Sequence, residues 1–239
     1  MTTMNMTIPA DCVVFDTETT GFSPDEGDKL VEIGAVRMRD GLPTKETFHV
    51  YINPERSVPD AAVKVHGLTA KFLADKPLFA EVAQDFVDFV GDLPMVAHNA
   101  AFDARFINAE LSALGFPTYP DARFTDTVAI ARKKFPGAQA NLDALCRRFK
   151  ISLKNRDKHG ALIDSELLAE VCVELSGGRQ FTLFSGAARS EAEDTSAAAP
   201  RVALKTFVRE ASPEELSRHA ALVSKLGDSA IWNKIEGAA

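Results

Sequence analysis

Residues 12–21 read CVVFDTETTG. An apolar run, Cys12 to Phe15, leads straight into an acid, a threonine and a second acid, and the stretch closes on glycine. That is the pattern of a short buried strand whose far end turns polar. Side chains alternate along a strand, so Asp16 and Glu18, two residues apart, share one face. Working outward, residues 30–38 and 48–52 carry β-branched and aromatic content and predict two more strands. Residues 79–90 place Val82, Phe86 and Phe89 at helical spacing and stop at Gly91. Residues 93–97 read as a further strand. Residues 101–114 and 161–175 have helical periodicity, and shorter helices are expected over 127–134 and 141–149. Three strands followed by alternating helix and strand indicate an α/β layer with a mixed sheet.

The 239 residues allow one good-sized domain plus an appendage. With 46% hydrophobic and 26% charged residues the composition is that of a soluble globular chain, and no apolar run approaches the roughly 20 residues that span a bilayer. The first ten residues lack a basic start and apolar stretch, so the cytoplasm is the expected compartment. Cys12, Cys146 and Cys172 are widely spaced among apolar neighbours and read as small core residues in a reducing compartment. A net charge of -7 argues against a protein that holds nucleic acid by bulk electrostatics. It leaves room for acids that bind a divalent ion, because such ions reverse the local field.

Two further acids fit that description. Asp103 has Phe106, Ile107 and Leu114 at i+3, i+4 and i+11, and Asp164 has Leu168, Val171 and Leu175 at i+4, i+7 and i+11. Both are expected to face the core, while Glu166, Glu170 and Glu174 form a separate solvent stripe. An inward carboxylate needs a proton, an ion pair, a helix cap or a metal. Two such acids beside an Asp-x-Glu pair make a shared metal cluster the simplest account. An all-oxygen donor set selects hard ions, Mg²⁺ or Mn²⁺, over zinc. Two ions roughly 4 Å apart suit an in-line phosphodiester displacement. His159 precedes Asp164 by five residues, which places it on the loop entering the helix, where an imidazole can act as general base.

Taken together, FDTETTG at 15–21, HNAAFD at 98–103 and HGALID at 159–164 resemble, in order and spacing, the three motifs of the DEDDh exonuclease superfamily. Within it, LVEIGAV at 30–36, VHGLT at 65–69, ARKKFPG at 131–137 and NLDALCRRF at 141–149 are similar to the epsilon, or proofreading, subunits of bacterial DNA polymerase III. The resemblance covers nearly all of residues 11–178. It implies a ribonuclease H-like mixed β-sheet flanked by helices, with a flexible C-terminal tail. It also implies a two-metal 3′-to-5′ exonuclease that trims mispaired primer ends and releases nucleoside monophosphates. Asp16, Glu18, Asp103 and Asp164 would be the ligands of two Mg²⁺ or Mn²⁺ ions and His159 the general base. Thr17, His66, His98, Asn99 and Phe102, with Asp16 and Glu18, would line the terminal nucleotide, Phe102 offering a stacking surface. A superfamily exonuclease for RNA 3′ ends, and an adaptor that has lost activity, are the other readings. Arg147, Arg148, Lys150, Lys154, Arg156 and Lys158 gather basic charge before His159 and read either as a phosphate track or as a solvated charge run.

Composition changes after Gly177-Gly178. Residues 185–200, SGAARSEAEDTSAAAP, contain no large apolar side chain and read as a linker. The expected divisions are an exonuclease domain over 1–178, a clamp-binding peptide and linker over 179–200, and a polymerase-binding segment over 201–239. Gln180-Phe181-Thr182-Leu183-Phe184 resembles the short peptide that bacterial proteins insert into the sliding clamp, with Gln180, Leu183 and Phe184 as anchors. Beyond the linker, Ser212-Pro213-Glu214-Glu215 predicts a capped helix start. Leu216, Ala220 and Val223 lie on one face of that helix and Trp232 follows. Leu216, Val223 and Trp232 would hold the polymerase catalytic subunit by resemblance. The substrate would be the single-stranded 3′ end of DNA.

Overall fold

The computed structural model describes residues 7–154, 159–178 and 211–226. The opening apolar run continues past Phe15 as strand β1 (Cys12–Thr19), so the two acids lie within the strand, not just after it. β1 pairs antiparallel with β2 (Leu30–Arg39), and β2 pairs antiparallel with β3 (Leu42–Tyr51). On its other side β1 pairs parallel with β4 (Met95–Ala97), and β4 pairs parallel with β5 (Phe124–Asp126). The order is β3-β2-β1-β4-β5, a mixed sheet as expected. Strand β3 starts six residues earlier than the sequence pattern indicates. It is the sheet edge, and its first residues are mostly exposed, so they carry little of the apolar alternation that marks a half-buried strand.

The helices are α1 (Asp60–His66), α2 (Ala70–Leu73), α3 (Phe79–Val90), α4 (Ala100–Ala113), α5 (Thr127–Lys134), α6 (Leu142–Phe149) and α7 (Ala161–Leu175). The alternation along β1 feeds two cores. Val13 and Phe15 pack with Phe86 of α3 and Phe106 and Ile107 of α4. Cys12 and Val14 pack with Ala131 of α5, Leu145 and Cys146 of α6, and Leu168 and Val171 of α7. The three cysteines are buried and free. Helix α7 comes very close to the sheet at Gly34: a Cβ there would overlap the backbone of Ala161 and Leu162. The Ser165 hydroxyl donates to the Gly34 carbonyl at 2.8 Å, closing the same contact.

The C-terminal part is a separate unit. Within it α8 (Pro213–Leu226) starts as its sequence predicts: the Ser212 amide donates to Glu215 Oε2 at 2.8 Å, and the Glu215 amide donates to Ser212 Oγ at 3.3 Å. Leu216 and Leu222 are exposed on this helix and Val223 is half-buried. Gln180, Leu183, Phe184 and Trp232, together with Arg156 and Lys158, lie outside the described residues. No helix among the described residues is long and apolar enough to cross a membrane.

Candidate active site

Both apolar rows of β1 turn polar at its C-terminal end, where the parallel strands β1 and β4 finish. The row Cys12, Val14 continues into Asp16 and Glu18 on the side of α7, and the row Val13, Phe15 continues into Thr17 on the side of α4. Helices on opposite faces of the sheet then deliver the other two acids by the same device. Asn99 caps α4 and Asp103 stands four residues later; Gly160 caps α7 and Asp164 stands four residues later. Each acid is only 3% exposed and sits in a helix's first turn, where the macrodipole favours negative charge. Each follows a histidine by five residues, His98 and His159.

The four carboxylates border one cavity of about 460 Å³, whose walls also include Thr17, His98, Phe102, Asn141, Leu142, Asp143 and His159. Ligand atoms of Glu18, Asp164 and His159 lie within 4.8 Å of one another. His159 is about half exposed, and its Nδ1 is 3.0 Å from Asp164 Oδ2. The Thr17 hydroxyl donates to Asp103 Oδ1 at 2.6 Å. His98 Nδ1 is 2.9 Å from the Thr127 hydroxyl. The Phe102 ring stands against Phe106 with centroids 5.0 Å apart.

The electrostatics fit an ion-binding centre. Burial, then the charges of Asp103, Glu18, Asp164 and Glu32, push the Asp16 carboxyl well above the ordinary carboxylate range. Burial raises Asp103 from 3.8 to about 7, against the opposing pull of the Thr17 hydroxyl and backbone amides. So much confined negative charge is satisfied either by protons or by cations, and an all-oxygen donor set with one imidazole nearby accepts hard divalent ions. Burial lowers the His98 pKa, which keeps that ring neutral at pH 7.

Two candidates stand apart from the cavity. His66 is buried at the end of α1, with Nδ1 accepting from the Leu68 amide at 3.0 Å, and is not among the cavity walls. Asn99 serves locally, its backbone in the left-handed region and its amide donating to Asp126 Oδ1 at 2.9 Å. The start of α6, Asn141 to Asp143, was read as a helix and as part of a shared motif, but was not assigned to the site. The Asn141 cap, accepting from the Ala144 amide, was visible, but its position beside the acids was not. Another buried acid, Glu32, was also missed. It pairs across the strands with Glu18 and is held by His49 Nε2 at 2.7 Å. Leu114, expected on the inward face of α4, follows the helix end and is 40% exposed.

Comparison with known proteins identifies this arrangement. The exonuclease family model matches residues 13–172. The DNA polymerase III subunit epsilon of Rickettsia conorii is 43% identical over 219 residues, covering 90% of this chain and 95% of that protein. The corresponding subunit of Escherichia coli K12 is 42% identical over 233 residues, covering 92% and 96%. The solved structure of exonuclease X in complex with 5′ overhanging duplex DNA aligns with a TM-score of 0.55 at 26% identity, covering 73% of this chain and 93% of that one. Two inward acids at matched helix positions, an Asp-x-Glu strand and near full-length similarity converge: the chain belongs to the exonuclease family, among the DNA polymerase III epsilon subunits, and is a proofreading 3′-to-5′ exonuclease.

Proposed function

We propose that Asp16, Glu18, Asp103 and Asp164 hold two divalent ions, Mg²⁺ or Mn²⁺, and that the protein removes the terminal nucleotide of a mispaired DNA primer as a monophosphate. The observation that carries this reading is the convergence of all four carboxylates on one cavity. Their mutual repulsion in a buried setting is relieved when cations bind. The ions, when bound, would supply charge stabilisation for an in-line displacement at phosphorus.

The chain's own residues do the rest. Thr17 holds Asp103 in one orientation through its 2.6 Å hydrogen bond, which keeps β1 and α4 in register at the reacting end. His159 takes the proton of the attacking water. Its partial exposure lets the ring turn toward substrate, and its Nδ1 contact with Asp164 orients it. Phe102 supplies an aromatic face for the terminal base, and His98, neutral and anchored to Thr127, offers hydrogen bonding to the nucleotide. His66, at the end of α1, and Asn99, at the cap of α4, do not border the cavity. Selectivity for a mispaired end follows because such an end costs less to unstack than a paired one.

The tail completes the reading. Gln180, Leu183 and Phe184 would engage the sliding clamp, and Leu216, Val223 and Trp232 the polymerase catalytic subunit. The exposed Leu216 on α8, on the face it shares with Ala220 and Val223, suits a protein partner. The test is product analysis: Mn²⁺-dependent release of nucleoside 5′-monophosphates, one at a time from the 3′ end of a labelled oligonucleotide. Release from the 5′ end, or of dinucleotides, would contradict it.

A further inference from the structure

The last turns of α5 and α6 carry Arg132 and Lys133, and Arg147 and Arg148, all exposed, with Lys150 directly after α6. No ion pair among the described residues involves any of these five. In a chain of net charge -7, that is a local reversal of sign. Lys134, by contrast, is committed to the Glu174 and Leu175 carbonyls at the end of α7.

Three observations tie this surface to the carboxylate cavity. Helix α6 begins with Asn141, Leu142 and Asp143 in the cavity wall and ends in Arg147 and Arg148. Its eight residues span about 12 Å. Arg147 and Arg148 border an open groove of about 610 Å³ whose other walls are Ala138, Gln139 and Ala144, the two alanines being small enough to let a backbone approach. Arg132, on the neighbouring helix, is near enough to His98 in the cavity wall to disfavour its charged form. The Arg148 guanidinium lies 4.4 Å over the Phe135 ring, which itself packs on Phe149, and this stacking sets its plane while its N–H edges remain available to phosphate oxygens.

We infer that Arg132, Lys133, Arg147, Arg148 and Lys150 form a phosphate track carrying the strand whose 3′ end enters the cavity, an inference that rests on the exonuclease reading. The occupant is a single-stranded nucleic-acid backbone. Phosphate recognition explains arginines that form no ion pair among the described residues, and continuity with the cavity gives the strand a path.

The test is the salt dependence of binding by the full-length chain. Affinity for a 5′-labelled oligothymidylate would be measured by anisotropy in chelator, between about 50 and 300 mM salt. Removing two phosphate contacts in Arg147→Ala/Arg148→Ala should make the plot of log affinity against log salt shallower by about 1.4, and Arg132→Ala by about 0.7. Arg147→Lys/Arg148→Lys, which keeps the charge, should restore most of the slope. A slope unchanged in the alanine variants overturns the track, as does a loss of affinity that is the same at every salt concentration. Hydrolysis of a nucleoside 5′-phosphate aryl ester by the wild-type protein is measured alongside. Its absence would sink the nuclease reading and leave the slope to judge the track separately.

Discussion

The Thr17 hydroxyl donates to Asp103 Oδ1 at 2.6 Å, joining residues 86 apart in sequence and belonging to the strand and the helix that meet at the cavity. It is a buried, charge-assisted bond, and such bonds contribute about 1.5–3 kcal/mol. Thr17→Val should therefore lower kcat/KM about 10- to 100-fold. Thr17→Ser, which keeps the donor, should recover most of the loss. Mn²⁺ affinity measured by calorimetry should fall in the valine variant and return in the serine variant. Equal activity in Thr17→Val and wild type would remove this role.

Asp16 and Asp103 both have carboxyls raised above their ordinary range, Asp103 to about 7. A group that binds its proton more tightly in the folded state contributes stability at low pH and loses it as pH rises through the folded pKa. The stability that these two groups contribute to the metal-free protein should therefore be fully present below the ordinary carboxylate value and be lost as pH rises through about 7. Saturating Mn²⁺ should restore Tm on the alkaline side, and binding should release protons, visible as buffer-dependent heats. A metal-free Tm that rises steadily between pH 5 and 8 would contradict this assignment.

His159 stands against Asp164 but is half exposed, which suits a base and not a buried structural group. His159→Gln should lower kcat about 10²- to 10⁴-fold, with oligonucleotide affinity little changed. If affinity fell as steeply as kcat, the histidine would be a binding group.

The tail should be separable from the chemistry. A chain lacking residues 200–239 should no longer co-purify with the polymerase catalytic subunit yet should degrade free oligonucleotides. Phe184→Ala should weaken clamp binding in a pull-down or by surface plasmon resonance. Retention of polymerase by the shortened chain would move the contact elsewhere.

Much of the site was legible because its geometry is local. The Asp-x-Glu pair needs only the strand period, and the inward setting of Asp103 and Asp164 needs only the helix period, which Phe106, Ile107, Leu168 and Val171 mark plainly. Glu32 and His49 were not legible, since their contact depends on the β1–β2–β3 register, a long-range property. The same holds for Asn141 to Asp143, which reach the acids only through the packing of α6. Leu114 was misjudged because periodicity runs past a helix end that local hydrogen bonding sets: its amide turns back to Leu111 and Ser112. Strand β5 is three residues long, too short for any period to register.

A metal-dependent hydrolytic centre built on these carboxylates needs all of them together. Degradation of a primer with a mismatched 3′ end, in Mg²⁺, by wild type and Asp16→Ala tests it most directly, with chelator as control. Wild type should remove the mismatched nucleotide rapidly, and Asp16→Ala should be slower by at least about 10²-fold, with no activity in chelator. Asp16→Ala acting at the wild-type rate, or wild type acting in chelator, would contradict it.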